Sequence, residues 1–197
     1  MKKIFLILIA TSVLLLSFTN IVKTVYKADI KNSKINWKGF KPTGSHNGVI
    51  SISTGEFILE NDKIIGGNFT IDMNSIIDLD MPADNEYNAK LVGHLKSEDF
   101  FDVKKHPNGT FHITGSDSKG GKTLIKGDLT LKDKTNSIAF LATVKIEGDQ
   151  LTFKSETFKI DRSKYDITYK SKSFFNNLKD KFINDDMEIS IEVSANK

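Results

Sequence analysis

The chain has 197 residues, a formal net charge of +3 and no cysteine. Without cysteine it forms no disulfide framework and offers no thiol for lipid attachment. It has a single arginine, Arg162, and lacks the clustered basic residues of nucleic-acid-binding domains, so nucleic acid is not an expected partner.

The N-terminus has the composition of a targeting segment. Lys2 and Lys3 precede an apolar run over residues 4–18, a pattern typical of a secretory signal peptide. This run is shorter than the ~20 residues that a membrane-spanning helix usually needs. We predict a signal peptide over residues 1–21, with an uncleaved anchor as the alternative. One domain over residues 22–197 follows, in a periplasmic or secreted protein.

Apolar and polar residues alternate along much of this domain, as in β-strands with one buried face. The alternation is clearest at residues 35–37, 68–73, 110–114, 125–131 and 187–193. Polar turn motifs separate these segments, at residues 42–44, 61–62, 66–67, 115–117, 120–121 and 147–149. Seven or eight strands joined by short turns favour an all-β antiparallel sandwich or barrel. Strands of about six to eight residues would make a barrel ~20–26 Å tall.

Two segments have helical spacing instead. The first contains Ala89, Leu91, Val92 and Leu95, and the second is 173–182, where Phe174, Phe175, Leu178 and Phe182 fall on one face. Ser97, followed by two acidic residues, is predicted to cap a further turn. One or two short helices near the barrel ends would serve as plugs, with Phe100 and Phe101 as anchors.

The sequence shows no recognisable catalytic or metal-binding motif. Its four histidines lack metal-ligand spacing, and no G-x-S-x-G motif occurs. The acidic residues Asp78, Asp80, Asp84 and Glu86 lack the spacing of a calcium loop and are predicted to lie in a solvated loop. We therefore predict no metal, no cofactor and no enzymatic activity. The many phenylalanines fit two alternatives equally, a filled core or an apolar cavity inside the barrel.

Several motifs resemble the YceI family. The segment over residues 91–103, LVGHLKSEDFFDV, and the following KHPNGTF at 105–111 resemble its signature. Residues 67–76, 127–131, 161–165 and 185–191 are similar to further family segments in the same order. The resemblance implies a lipocalin-like, eight-stranded antiparallel barrel without catalytic residues or metal. It also implies a ligand with a long apolar chain, such as a polyisoprenoid, an isoprenoid quinone or a similar amphiphilic lipid.

On this interpretation the protein is a lipid carrier, and the alternative is an envelope structural or protein-interaction module with a filled core. Either is compatible with a homodimer. The residues predicted to contact the ligand are Trp37, Phe69, Ile71, Leu91, Leu95, Phe101, Phe111, Leu129, Phe140 and Ile189. His46 and His94 are candidates for contacting a polar head group. The alternative is that each is bonded to a loop carbonyl.

Overall fold

A computed structural model describes residues 22–197 of the chain. The predicted signal peptide over residues 1–21 lies outside the described residues. Within the described part there are ten strands, one α-helix and three short 3₁₀ segments. The strands are β1 (Lys23–Ala28), β2 (Lys34–Lys41), β3 (Gly44–Glu60), β4 (Lys63–Asp78), β5 (Asn108–Lys119), β6 (Lys122–Leu131), β7 (Lys134–Glu147), β8 (Gln150–Ser155), β9 (Phe158–Asp161) and β10 (Asp186–Asn196). The helix is α1 (Glu86–Lys96), and no helix among the described residues is long and apolar enough to cross a membrane.

The strands form a closed antiparallel barrel in which β10 joins the two ends of the sheet. One edge of β10 pairs with β2 and then with β1, and its other edge pairs with β9 and then with β8. β1 and β2 together occupy one strand position beside β3, which pairs with both. β8 and β9 likewise follow each other along one position. The barrel therefore has eight strand positions, which confirms the predicted fold class.

Several strands are much longer than the predicted six to eight residues. β3 has 17 residues and β4 has 16, and their pairing shifts register at three places. Two glycine motifs predicted as turns, 66–67 and 115–117, lie inside β4 and β5 beside such irregularities. The prediction was wrong there because glycine marks a bulge within a strand as readily as a turn between strands. Bulges bend long strands, which lets two extended hairpins follow the curvature of the barrel.

Alternate residues of the strands point into the barrel, as the period of two predicted. Phe69, Ile71 and Met73 of β4 are buried, as are Ile125 and Leu129 of β6. These side chains belong to one hydrophobic cluster that includes residues from every strand. The interior of the barrel is thus the core of the domain.

Helix α1 follows β4 and lies at one end of the barrel, as predicted for the first plug. Asn85 caps its N-terminus, and Ser97 is its C-cap, since the Ser97 hydroxyl and N–H both donate to the carbonyl of His94. The predicted further turn does begin at Ser97, whose carbonyl accepts from the Phe100 N–H at 3.1 Å, but the Ser97 hydroxyl does not cap it. A compact turn over residues 97–102 then buries Phe100 and Phe101. We call α1 and this turn together the lid. Asp102 is also buried, with a left-handed backbone and its carboxylate 3.2 Å from Lys105 Nζ.

The second predicted helix does not form. Of the segment 173–182, only Lys179–Lys181 is helical, as a single 3₁₀ turn, and Phe174 and Phe175 are exposed. Asp185 explains this conformation, because its Oδ2 accepts hydrogen bonds from the hydroxyls of Ser171 and Ser173. These contacts hold the start of the segment close to its end, and a helix of ten residues would separate them.

We expect Phe101→Ala to lower the free energy of unfolding by about 3–5 kcal/mol, the usual cost of removing a buried ring. Phe101 is 8% exposed in the turn after α1. Urea denaturation monitored by circular dichroism measures the change.

Phe175→Ala is the matched control, because the Phe175 side chain is 49% exposed. It should change stability by no more than about 0.5 kcal/mol. Equal effects of the two substitutions would contradict the placement of Phe101 as an anchor of the lid turn.

Candidate ligand cavity

The barrel is hollow at the end covered by α1. A cavity with about 180 Å³ of space open to the centre of a water molecule lies between the inner strand faces, the helix and the connection between β9 and β10. A single water needs about 10–15 Å³ by this measure. Nearly all of the lining is apolar, and the few polar side chains are Lys41, His46, Arg162 and Asn184. We call this end of the barrel the mouth.

The opposite end is filled by side chains. The side chains that fill it are at most 2% exposed, and none of them lines the cavity. They include Leu59, Ile64, Ile125 and Leu151. The turns at 61–62, 120–121 and 148–149 all lie at this closed end. The two alternatives of the sequence analysis therefore each describe part of the barrel, with a packed core at the closed end and a cavity toward the mouth.

Most of the residues predicted to contact a ligand surround this cavity. The lining includes Trp37, Phe69, Ile71, Leu91, Leu95, Phe101, Phe111, Leu129, Phe140 and Ile189. His46 also lines it, whereas His94 does not. The structure thus brings the apolar set together around one space, and contact of these side chains with a ligand stays a prediction.

Glycines make room for two of the large aromatic side chains in the wall. A Cβ at Gly55 would lie 2.2 Å from the ring of Phe69, and a Cβ at Gly127 would lie 2.5 Å from the ring of Phe111. Each ring therefore lies over the backbone of a neighbouring strand and does not project far into the centre. Placing the rings against glycine keeps the middle of the barrel open.

The wall has one seam that backbone hydrogen bonds do not close. In the described residues, β7 pairs with β8 only from Ala142 onward and forms no ladder with β9. The rings of Phe140 and Phe158 stack across this seam, with centroids 4.2 Å apart and planes 5° from parallel. Side-chain packing therefore replaces strand pairing here, and both rings also line the cavity.

The two histidines named as head-group candidates are each paired with a carboxylate and not with a loop carbonyl. His94 Nε2 lies 2.9 Å from Asp99 Oδ2, and its ring meets Phe100 and Tyr169 edge to face. His94 therefore supports the lid from outside the cavity. His46 Nδ1 lies 3.0 Å from Asp80 Oδ2 at the mouth.

Asp78 and Asp80 lie beside His46 at the end of β4. Asp78 is buried, which corrects the expectation of a solvated loop, and it pairs with Gly48 of β3. A Cβ at Gly48 would lie 1.8 Å from the carbonyl oxygen of Ile77, so only glycine permits this approach of the two strands. Burial, and then the neighbouring Asp80, raises the pKa of Asp78. Burial acts to raise the pKa of Asp80, but the neighbouring Asp78 carboxyl and the hydrogen bonds with the Asn47 N–H and His46 lower it overall.

Arg162 was not among the residues predicted to contact a ligand. This side chain is 1% exposed and lines the cavity next to Phe100. It donates to the carbonyls of Asn184, Ile167 and Ile183 at 2.8–3.1 Å, and its Nη2 lies 3.2 Å from Asp185 Oδ1. Burial lowers the pKa of Arg162, and Asp185 opposes that change. The sequence feature that could have identified it is that Arg162 is the single arginine among many lysines. Lysine cannot form this fork of hydrogen bonds.

We expect Arg162→Met to lower the free energy of unfolding by about 3–5 kcal/mol, since it removes the charge facing Asp185 and leaves three carbonyls unpaired. Urea denaturation measures this loss. Trypsin should also cleave faster at Lys172, Lys179 and Lys181, in the segment that Arg162 fixes to the barrel.

Lys164→Met removes a positive charge from an exposed position in the same 3₁₀ turn as Arg162. It should leave both stability and the rate of cleavage close to those of the unsubstituted protein. If Arg162→Met behaved like Lys164→Met, the network around Asp185 would not organise the mouth.

Comparison with known proteins agrees with this geometry. Among curated proteins, a UPF0312 protein of Pseudomonas putida strain W619 is 38% identical over 99 residues, which is 47% of this chain and 52% of that protein. A UPF0312 protein of Pseudomonas savastanoi pv. phaseolicola is 45% identical over 56 residues, 28% of this chain and 29% of that one. The chain thus spans about half the length, or less, of the curated relatives it matches.

Solved structures share the fold. BcnA of Burkholderia cenocepacia superposes with a TM-score of 0.67 and 24% identity, over 85% of this chain and 99% of that one. A polyisoprenoid binding domain from Saccharophagus degradans gives 0.61 and 13%, over 87% and 97%. The family model described as the YceI-like domain matches residues 26–195. The chain therefore belongs to the YceI-like domain family.

Proposed function

We propose that this protein is a carrier that binds a long apolar chain inside its barrel, such as a polyisoprenoid, an isoprenoid quinone or a similar amphiphilic lipid. The observation that carries the proposal is the apolar cavity beneath α1, which opens toward the mouth and ends at a packed floor. Membership of the YceI-like domain family supports it. So does the structural likeness to a domain described as polyisoprenoid-binding.

The energetics of burial suit such a ligand. Each methylene group that leaves water contributes roughly 0.8 kcal/mol, so about fifteen carbons contribute ~12 kcal/mol. This offsets an association cost of roughly 4–15 kcal/mol. Affinity should rise with chain length until the cavity is full. Carbons beyond that length would fold back or project through the mouth.

The arrangement of polar groups favours one orientation of the ligand. The polar side chains of the lining all come from segments at the mouth. They are Lys41, His46, Arg162 and Asn184. Burying a polar head group without partners costs several kcal/mol. A ligand that enters tail first leaves its head beside these groups and its chain against the apolar wall.

A binding role fits this site better than an enzymatic one, because its lining is hydrocarbon apart from the few groups at the rim. The alternative, an envelope module with a filled barrel, required a packed interior. Because the interior of the barrel holds a cavity, the carrier function is favoured over the envelope module. Export to the periplasm or the cell exterior is part of the proposal and rests on the composition of residues 1–21.

Mass spectrometry of a solvent extract of the purified protein tests the main claim. We expect an apolar chain to co-purify, and we expect a long-chain prenol or quinone added to the delipidated protein to raise the melting temperature. An extract free of apolar chains, together with an unchanged melting temperature in all of these lipids, would refute the carrier function.

A substitution that fills the cavity should weaken binding without altering the fold. If Ile71→Trp displaces about two methylene groups of ligand, the loss is ~1.6 kcal/mol, or about 15-fold in Kd. Titration with a fluorescent prenol analogue measures this loss. Ile77→Trp is the matched control, because Ile77 lies on the same strand and is 44% exposed on the outer surface. It should bind like the unsubstituted protein, and equal losses in the two variants would place the ligand elsewhere.

Asp99→Asn should leave lipid binding nearly intact. The carboxylate pairs with His94 on the outer side of the lid, where both side chains are partly exposed. Such pairs contribute about 0–1 kcal/mol. The same prenol titration measures this, and a loss of tenfold or more would mean that the pair takes part in holding the ligand.

A further inference from the structure

A second feature of the mouth lies beside the cavity and is independent of its apolar lining. His46 stands at the start of β3, and Asp78 and Asp80 stand at and just beyond the end of β4. Each offers one ligand atom, and these atoms all lie within 4.8 Å of one another. We propose that His46, Asp78 and Asp80 form a binding site for a divalent transition-metal cation, with Zn²⁺ as the reference ion.

The buried oxygen of Asp78 supports the proposal. Asp78 is 5% exposed, and its Oδ2 accepts hydrogen bonds from the Met81 N–H at 3.1 Å and from Asn88 Nδ2 at 3.3 Å. Its Oδ1 is also buried, and no group within residues 22–197 donates a hydrogen bond to it. A buried carboxylate oxygen without a hydrogen-bond partner is unfavourable, and a bound cation would satisfy it.

The charges around the cluster also favour a bound cation. Asp78 and Asp80 lie side by side, with a carboxylate oxygen of one within 4.8 Å of a carboxylate oxygen of the other. Among the described residues, Asp80 pairs with His46, and neither carboxylate has a lysine or arginine within salt-bridge distance. Two adjacent carboxylates repel each other unless a proton or a cation lies between them.

The remaining atoms of the cluster are already oriented. Asp80 Oδ1 accepts a hydrogen bond from the Asn47 N–H at 2.8 Å, which leaves Oδ2 toward His46 Nδ1. Asn88 of α1 orients Asp78 from the other side, as outer hydrogen bonds do for metal ligands. The side chains of His46 and Asp80 are 29% and 28% exposed, so a path from solvent exists.

The donor set indicates the class of cation. Zn²⁺ binds imidazole nitrogen and carboxylate oxygen at about 2.0–2.2 Å, which places tetrahedral ligands about 3.4 Å apart. The contact of 3.0 Å between His46 and Asp80 would open slightly, and the longer separations, up to 4.8 Å, would close by up to about 1.4 Å. Imidazole favours zinc and its neighbours, whereas calcium takes six to eight oxygen ligands.

Calorimetric titration of untagged protein, stripped with EDTA and free of added lipid, tests the site. We expect Zn²⁺ to bind with one-to-one stoichiometry and to be retained in the presence of a thousandfold excess of Ca²⁺. His46→Gln and Asp80→Asn should each weaken binding at least about tenfold, since even outer-sphere substitutions cost 10–100-fold. Both positions are partly exposed, and circular dichroism checks that the variants fold.

His106 and Asp133 provide the matched control. They form another histidine–carboxylate pair, with His106 Nδ1 3.2 Å from Asp133 Oδ2, but the described residues place no second carboxylate in a three-ligand cluster with them. His106→Gln and Asp133→Asn should bind Zn²⁺ within twofold of the unsubstituted protein. In NMR spectra, Zn²⁺ should shift the ring signals of His46 and leave those of His106 unchanged.

Three results would overturn the site: no saturable Zn²⁺ binding, equal affinity in the site and control variants, or displacement of Zn²⁺ by Ca²⁺. Because no lipid is present, each of these results leaves the carrier function untouched. Conversely, a protein that binds Zn²⁺ through His46 but no prenol would retain the metal site and lose the carrier function.

Discussion

Closure of the sheet through β10 is the constraint on which the rest of the structure depends. One edge of this strand pairs with β2 and β1 and the other with β9 and β8, so backbone hydrogen bonds continue around the barrel. Closure removes exposed sheet edges and gives every strand an inside and an outside. An inward residue such as Phe69 or Leu129 must then meet the other inward residues, and the remaining freedom of the fold lies at the two ends.

The two ends of the barrel differ in side-chain packing and in the length of the connections between strands. At the closed end, short turns join long hairpins, and side chains such as Leu59 and Leu151 fill the interior. At the mouth, two long connections join the strands. One runs from β4 to β5 through α1 and the turn after it, and the other runs from β9 to β10. Arg162 contacts both connections, because it donates to carbonyls just before β10 and lies beside Phe100 of the lid turn. A buried guanidinium can satisfy several carbonyls at once, which suits a loop without regular structure.

Local patterns predicted the barrel and most of the cavity wall. A period of two identifies inward positions such as Phe111 and Ile189, and barrel closure then brings those positions together. What could not be predicted depends on contacts between distant residues. The bulge beside Gly66 has the composition of a turn, and the segment around Phe174 has helical spacing that Asp185 overrides through two serine hydroxyls. His46 joins Asp78 and Asp80 only because Gly48 allows β3 and β4 to approach, and nothing in the spacing of those residues indicates it.

The division of the barrel into a filled half and a hollow half has a thermodynamic reason. A cavity lacks the contacts that a packed interior would make, and each unfilled volume lowers stability. A barrel hollow throughout would therefore depend on its ligand to stay folded. Here the closed end, with side chains such as Ile125 and Leu151 almost wholly buried, holds the strands together when the mouth end is empty. In the proposed carrier, a chain bound in the cavity would restore contacts only at the mouth end, so that binding and release need not disturb the strand pairing below.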